Sequence, residues 1–360
     1  MAKYDYLIIG SGLTGAMYAY YLKRLGKCLV MDRNPYIGGL CRTDYEEGIH
    51  VHMYGAHIFR TDSKAVWDFV NSFVKFKSFI NTPIALNNGR IYNLPFNMNT
   101  FAQLFGITTP EEAKRKISDD LIPYISPSNL EEYVLSKLGK TIYRELIEGY
   151  TEKQWGKPCR QLPADTMKHI PIRFTYNNNY YDEIYQGIPT SGYSEFIKKL
   201  LYGCEVVQEE FSSSEHERLA DKIVYTGALD ELFNYSEGRL DFRSVEFCHK
   251  WYNQEDRQGI AVINYTGKDV PYTRTIEHKH FLSEASAKTI ISYEKPCLPE
   301  KTGKRIYPVR DNRNLSIQMA YECKIDASKY ICCGQQADFK SYNMNQIIKK
   351  VLTWARKYKL

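Results

Sequence analysis

The first apolar run of the chain, YDYLII at Tyr4–Ile9, is short and ends on glycines, as a buried strand does. TGAMYAYYLKRLG then reads as a helix and CLVMD as a second strand, a βαβ opening. From about Asn97 to Glu148 the pattern turns helical, in TPEEAKRKISDDL, NLEEYVLSKLG and TIYRELIEGY, with helix starts at Thr109-Pro110-Glu111-Glu112 and Asn129-Leu130-Glu131-Glu132. Tyr, Asn and β-branched residues dominate Ile170–Pro189, which predicts strands and turns. YSEFIKKLL predicts a helix and KIVYTG a strand; RSVEFCHKWY, GIAVINYT and RTIEHKHFL alternate as antiparallel strands do. The closing stretch from Tyr330 reads strand, turn, helix. The class is α/β, with a first domain that opens the chain, returns near its middle and closes it.

At 360 residues, 43% hydrophobic and 25% charged, the chain has room for two or three domains. Its net charge of +6 is spread without a block of like charges. That argues against a nucleic-acid arm and suits an anionic small substrate. The 30 tyrosines fit a polar-rimmed core or a pocket for a nucleotide or sugar. Nine cysteines without a C-x-x-C pair point to reduced thiols, with Cys332 and Cys333 on opposite faces of a strand. The apolar run in MAKYDYLIIG is too short for a signal peptide or a membrane span, so a cytoplasmic protein is expected.

Gly10, Gly12 and Gly15 form G-x-G-x-x-G between strand and helix, the signature of a Rossmann-like dinucleotide site. The helix that opens at Thr14 turns its N-terminus to the pyrophosphate, and Asp32 ends the second strand where a ribose hydroxyl would lie. Arg33 and the pair Gly38-Gly39 follow. His50/His52 and His278/His280 are each spaced to share a strand face, but no nearby carboxylate or cysteine spacing supports a metal, and none is expected.

The segments YGAHIFRTD (Tyr54–Asp62), LPFNMNTF (Leu94–Phe101), GYTEKQWG (Gly149–Gly156), YQGIPTSGY (Tyr185–Tyr193) and PYTRTIEHKHF (Pro271–Phe281) together resemble the bacterial UDP-galactopyranose mutases. The likeness runs from Tyr4 to about Asn343, and the DRNPYIGG stretch is typical of FAD-binding proteins. It implies a discontinuous FAD-binding domain (1–77, 193–238 and 308–360), an inserted helical domain (97–148) and an antiparallel sheet domain (78–96, 149–192 and 239–307). It implies interconversion of UDP-galactopyranose and UDP-galactofuranose on reduced FAD, through a covalent adduct between flavin N5 and the sugar. Cofactor contacts then fall on Gly10, Gly12, Leu13, Thr14, Gly15, Asp32, Arg33, Gly38, Gly39, His57, Gly334, Asn343 and Met344. Tyr150 would stack on uracil, Gln154 would meet its edge from the same helix face, and Trp155 would lie near the sugar. Arg274 would hold the diphosphate with Tyr180 and Tyr307, Asn264 would line the pocket, and Gln161–Pro171 would be a mobile lid.

Several positions depart from the family pattern: His169 and Gln335 replace arginines, Ser341 a phosphate-contacting tyrosine, Asn343 an aspartate and Arg60 a histidine. His169 becomes a pH-dependent phosphate contact, and Arg60 a cation for phosphate or for a sugar acetamido group. UDP-N-acetylgalactosamine or a deoxyhexose nucleotide therefore stands as an alternative substrate. A non-catalytic flavoprotein that binds sugar nucleotide, or a flavin oxidase, stands as an alternative class. A homodimer is open, and no nucleic-acid partner is expected.

Overall fold

A computed structural model describes residues 3–167 and 172–360. The chain divides into two compact units: Met1–Phe79 with Glu183–Ser244 and Gly303–Leu360, and Ile80–Asp182 with Val245–Thr302.

The first unit is built on the βαβ opening: β1 (Tyr4–Ile9), α1 (Leu13–Leu22) and β2 (Cys28–Asp32). The chain returns with α2 (Gly192–Leu201), β3 (Glu205–Gln208) and β4 (Ala220–Tyr225), and closes with β5 (Tyr330–Cys332) and α3 (Met344–Lys357). The strands form one parallel sheet in the order β3-β2-β1-β4-β5. Alternation divides its side chains between two cores. Ile8, Val30 and Val224 join the helices α1, α2 and α3, while Leu7, Leu29, Met31 and Ile223 bury the other face. α1 is apolar nearly all round because sheet and helices enclose it (Ala16, Met17 and Ala19 are 0% exposed). Cys333 packs with the α1 core and Cys332 beside Tyr225 and Phe339, so the two neighbours do face opposite ways.

The second unit joins a sheet to a helical layer. Its strands run in the order Phe242–Tyr252, Thr289–Cys297, Arg274–Glu277, Val262–Tyr265, Ile84–Asn87, Arg90–Asn93, the first of them beginning in the other unit. Ile84–Asn87 pairs parallel with Val262–Tyr265, so the sheet expected to be antiparallel holds one parallel pair. Thr109 caps its helix in a reciprocal box with Glu112, and Asn129 accepts from the Glu132 N–H, at the two starts read from the sequence. Phe101, Ile117, Leu130, Val134 and Ile142 fill the core beneath.

Two expectations fail here. RTIEHKHFL is a strand only to Glu277; His278–Phe281 is a 3₁₀ turn. The buried Lys279 ammonium donates to the carbonyls of Glu255, Ser286 and Lys288, which bends the chain inward. His278 and His280 thus do not share a strand face. In 172–189 the strand is confined to Tyr185–Pro189, apart from one bridge between Phe96 and Ile172. Upstream of it side chains take up the backbone groups: Asn97 donates to Asn177 O, and Asn177 Oδ1 accepts from the Asn179 N–H.

Candidate active site

In the first unit the glycine turn is built for a phosphate. Gly12 is the N-cap of α1 and offers no side-chain cap, so the first N–H groups of a ten-residue helix remain for a ligand. Gly15 lies so close to Gly10 that a Cβ there would sit 1.9 Å from the Gly10 carbonyl oxygen. Gly38 bridges to Gly12, and its N–H donates to Ser11 O at 3.0 Å. Asp32 does more than the sequence suggested. Its Oδ2 accepts from the Ser11 N–H and hydroxyl, both at 2.7 Å, and its Oδ1 from the Asn34 N–H at 2.8 Å and side-chain amide at 2.9 Å. The carboxylate therefore locks the turn between Gly10 and Gly12, and a ribose hydroxyl would exchange with one of the two side-chain donors.

Other expected cofactor residues lie in the same unit. Gly334 approaches α1 at Thr14, with only 2.9 Å between a Cβ there and Thr14 Oγ1. The His57 ring lies 2.6 Å from Leu40 O through Nε2, which ties it to the turn after Gly38-Gly39, and Tyr193 donates its hydroxyl to His57 O. Arg33 is half-exposed and faces Glu210 and Glu231 at 3.9 and 3.7 Å. Asn343 caps α3, accepting from the Gln346 N–H, and Met344 opens that helix. Arg60 pairs with Glu183, both about three-quarters buried, so its charge is already matched by a carboxylate. Tyr307 pairs with Arg243 at a sheet edge, and Ser341 is exposed before α3.

In the second unit the residues expected to meet substrate gather round one helix and three strands. The helix Glu148–Trp155 carries half-buried Tyr150, Gln154 and Trp155. Gly149 lets it approach the loop after Tyr265, since a Cβ would meet Thr266 O at 2.3 Å. Lys153 Nζ then donates to the carbonyls of Tyr265, Val270 and Tyr272 at 3.0, 3.3 and 3.0 Å. Burial lowers this ammonium to about 8. The same loop connects Asn264 to Arg274, which stand directly opposite on neighbouring strands, and Arg274 stands opposite Glu294 on the next. Opposed residues share a sheet face, so Asn264, Arg274 and Glu294 form a row. Glu294 Oε2 accepts from Arg274 Nε at 2.8 Å and lies 2.7 Å from Nη2 in an ion pair. Tyr180 donates its N–H to Asn81 O and meets the Tyr181 ring edge-on.

His169 and Lys168–Pro171 of the expected lid lie outside the described residues. Of the rest, Cys159–Gln161 and Ala164–Met167 are 3₁₀ turns, and Thr151 donates its hydroxyl to the Met167 sulfur. Lys153, Gly149 and Glu294 escaped the sequence reading. GYTEKQWG held two of them in plain view, but Glu294 is joined to Arg274 by strand register alone. The loop before Val262 and the turn after Glu277 bring Asp256, Glu277 and His280 together, with ligand atoms within 4.8 Å of one another. Carboxylates thus surround a histidine where spacing gave no sign of them. His280 Nε2 lies 3.2 Å from Asp256 and 3.4 Å from Glu277, distances of an ion pair without an aligned hydrogen bond. The Glu277 oxygens already accept from the N–H groups of Arg257 and Gln258 and the Thr289 hydroxyl. Among the described residues no helix is long and apolar enough to cross a membrane.

Comparison with known proteins agrees with this architecture. The sequence profile of the UDP-galactopyranose mutase family matches residues 145–341, and that of an NAD(P)-binding Rossmann-like domain matches 8–73. The chain is 33% identical over 372 residues to a Klebsiella pneumoniae protein named "Probable UDP-galactopyranose mutase", covering 99% of this chain and 95% of that one. It is 34% identical to the Escherichia coli dTDP-fucopyranose mutase, covering 98% and 97%. A crystal structure of reduced UDP-galactopyranose mutase has the same fold, with a TM-score of 0.76 at 14% identity over 98% of this chain and 93% of that one.

Proposed function

The chain belongs to the UDP-galactopyranose mutase family, a family of isomerases, and from that premise we propose that it interconverts the pyranose and furanose forms of a UDP-hexose, UDP-galactose first, with FAD as its cofactor. The uncapped α1 N-terminus, the Gly10–Gly15 approach and the Asp32-locked turn fit a dinucleotide pyrophosphate without rearrangement. A reduced flavin bound there would supply an electron-rich nitrogen as the nucleophile.

The remaining work falls to the chain's own residues. The N–H groups of Leu13 and Thr14 hold the cofactor phosphate, and Ser11 and Asn34 present Asp32 to its ribose. Tyr150 offers a ring face to uracil and Gln154 an amide to its edge. Arg274 balances the leaving diphosphate with a guanidinium whose Nε side Glu294 fixes, so its orientation is set before substrate arrives. Asn264, beside it, is placed to hydrogen-bond the sugar. Arg60, already neutralised by Glu183, shapes the turn after His57 and does not serve as a free phosphate cation.

The observation that carries this reading is the packing of the helix that bears Tyr150 and Gln154, through Gly149 and Lys153, against the loop that leads into Arg274. It sets an aromatic face and a fixed guanidinium on neighbouring elements, as a nucleoside diphosphate requires. The dTDP-fucopyranose mutase relative supports a second reading, the same chemistry on a deoxyhexose nucleotide. Dithionite-reduced protein incubated with UDP-galactose, UDP-N-acetylgalactosamine and dTDP-fucose, with products separated by chromatography, tests both. Furanose from UDP-galactose alone supports the first reading and from dTDP-fucose alone the second. No furanose from any of them, with flavin bound, overturns both.

A further inference from the structure

β2 and β3 run parallel with Leu29 opposite Glu205 and Val30 opposite Val206. The same register sets Cys204, one residue before β3, beside Cys28, the first residue of β2. Neighbouring parallel strands lie about 4.8 Å apart, inside the Cα separations a disulfide spans. Both side chains turn to the α1 side of the sheet: Cys28 is buried in that core and half-buried Cys204 packs on it. The Cys28 thiol donates to Gly26 O at 3.7 Å and interacts with the neighbouring Cys204 thiol. Lys23, the C-cap of α1, anchors its ammonium on the carbonyls of Leu200 and Tyr202 at 2.9 and 2.7 Å, next to the pair.

We propose that Cys28 and Cys204 are a redox-active dithiol that closes to an intramolecular disulfide when the protein meets a low-molecular-weight disulfide. Cys204 is the attacking group. Interaction with the neighbouring Cys28 thiol lowers its thiol to about 7, against burial and with help from the Lys23 charge, and it is the more exposed of the two. Its thiolate attacks one sulfur of the small disulfide, forms a mixed disulfide and releases one small thiolate. The Cys28 thiol is raised chiefly by its interaction with Cys204, and that influence ends once Cys204 is no longer an anion. Cys28 then gives up its proton and attacks the Cys204 sulfur, expelling the second small thiolate. Two protein thiols are oxidised and one small disulfide is reduced to two thiols. The bond would join the edge strand to β2 at the end away from Asp32, so the nucleotide turn keeps its geometry.

The test uses the FAD-loaded protein and glutathione disulfide. After oxidation, free thiols are blocked with N-ethylmaleimide and the protein is digested without reductant. The expected product is a peptide pair joined through Cys28 and Cys204, about 2 Da lighter than the two reduced peptides together. Flavin content should be unchanged and the melting temperature raised. Cys204→Ser, at a half-buried position that spares the core, should abolish the rise in melting temperature. Glutathione left on Cys204 while Cys28 is alkylated overturns the proposal. So does alkylation of both while exposed Cys323 is oxidised, or a rise in melting temperature that survives in Cys204→Ser.

Discussion

Arg274→Ala should lower stability and turnover by separable routes. Glu294 is 2% exposed, one of its oxygens takes both contacts from Arg274, and the other, Oε1, has no hydrogen-bond partner among the described residues. Removing the guanidinium strands a buried carboxylate, which typically destabilises by about 3–5 kcal/mol. Arg274 is about one-quarter exposed, so water enters more easily and the lower end, about 3 kcal/mol, applies. Adding Glu294→Gln should recover most of the stability at pH 7 and none of the turnover. Urea melts followed by tryptophan fluorescence, with Trp155 and Trp251 in the affected unit, measure the first effect, and furanose formation measures the second. A loss under about 1 kcal/mol at pH 7, or one that Glu294→Gln does not relieve, refutes the idea that Arg274 is the partner of the buried Glu294 carboxylate.

Lys153→Met should raise KM for the sugar nucleotide about tenfold, equivalent to about 1.4 kcal/mol, because three carbonyls lose the donor that holds the Tyr150 helix to the Arg274 loop. Bound flavin should not change. In the parent protein KM should climb as the pH passes about 8, where this ammonium loses its charge, and the variant should show no such climb. His280 is raised above 6.5, first by its interaction with Glu277 and then by Asp256, against burial. A folded value above the unfolded one gives stability that is complete below about pH 6.5 and lost as pH rises through the folded value. Thermal melts from pH 6 to 9 should decline accordingly, and the decline should flatten in His280→Gln; an equal slope in both proteins assigns it to other groups.

Local chemistry made part of this molecule readable. Strand, glycine turn and helix follow one another from Tyr4 to Asp32, and each depends on residues close in sequence. The caps at Thr109 and Asn129 and the opposed faces of Cys332 and Cys333 are local in the same way. What sequence could not disclose depends on partners far away. Lys279 turns a strand pattern into a 3₁₀ turn because carbonyls at Glu255, Ser286 and Lys288 await its ammonium. Arg60 looked like a spare cation until Glu183 came beside it, 123 residues on. Asp32 carried the expected position but an added duty, since its grip on Ser11 bridges 21 residues.

The order in which the first unit is assembled has a consequence for the birth of the chain. β1 emerges early, yet one of its two sheet neighbours, β4, begins only at Ala220, and α3, which covers α1, begins at Met344. At about 5–20 residues per second, the ribosome leaves the apolar surface of α1 without its last cover for on the order of tens of seconds. During that time Met17 and Tyr18, fully packed in the finished protein, are open to other nascent chains. Translation that stops short of the last helix should therefore yield aggregate, and a chaperone that shields the α1 surface should raise the soluble yield more than one that acts after release.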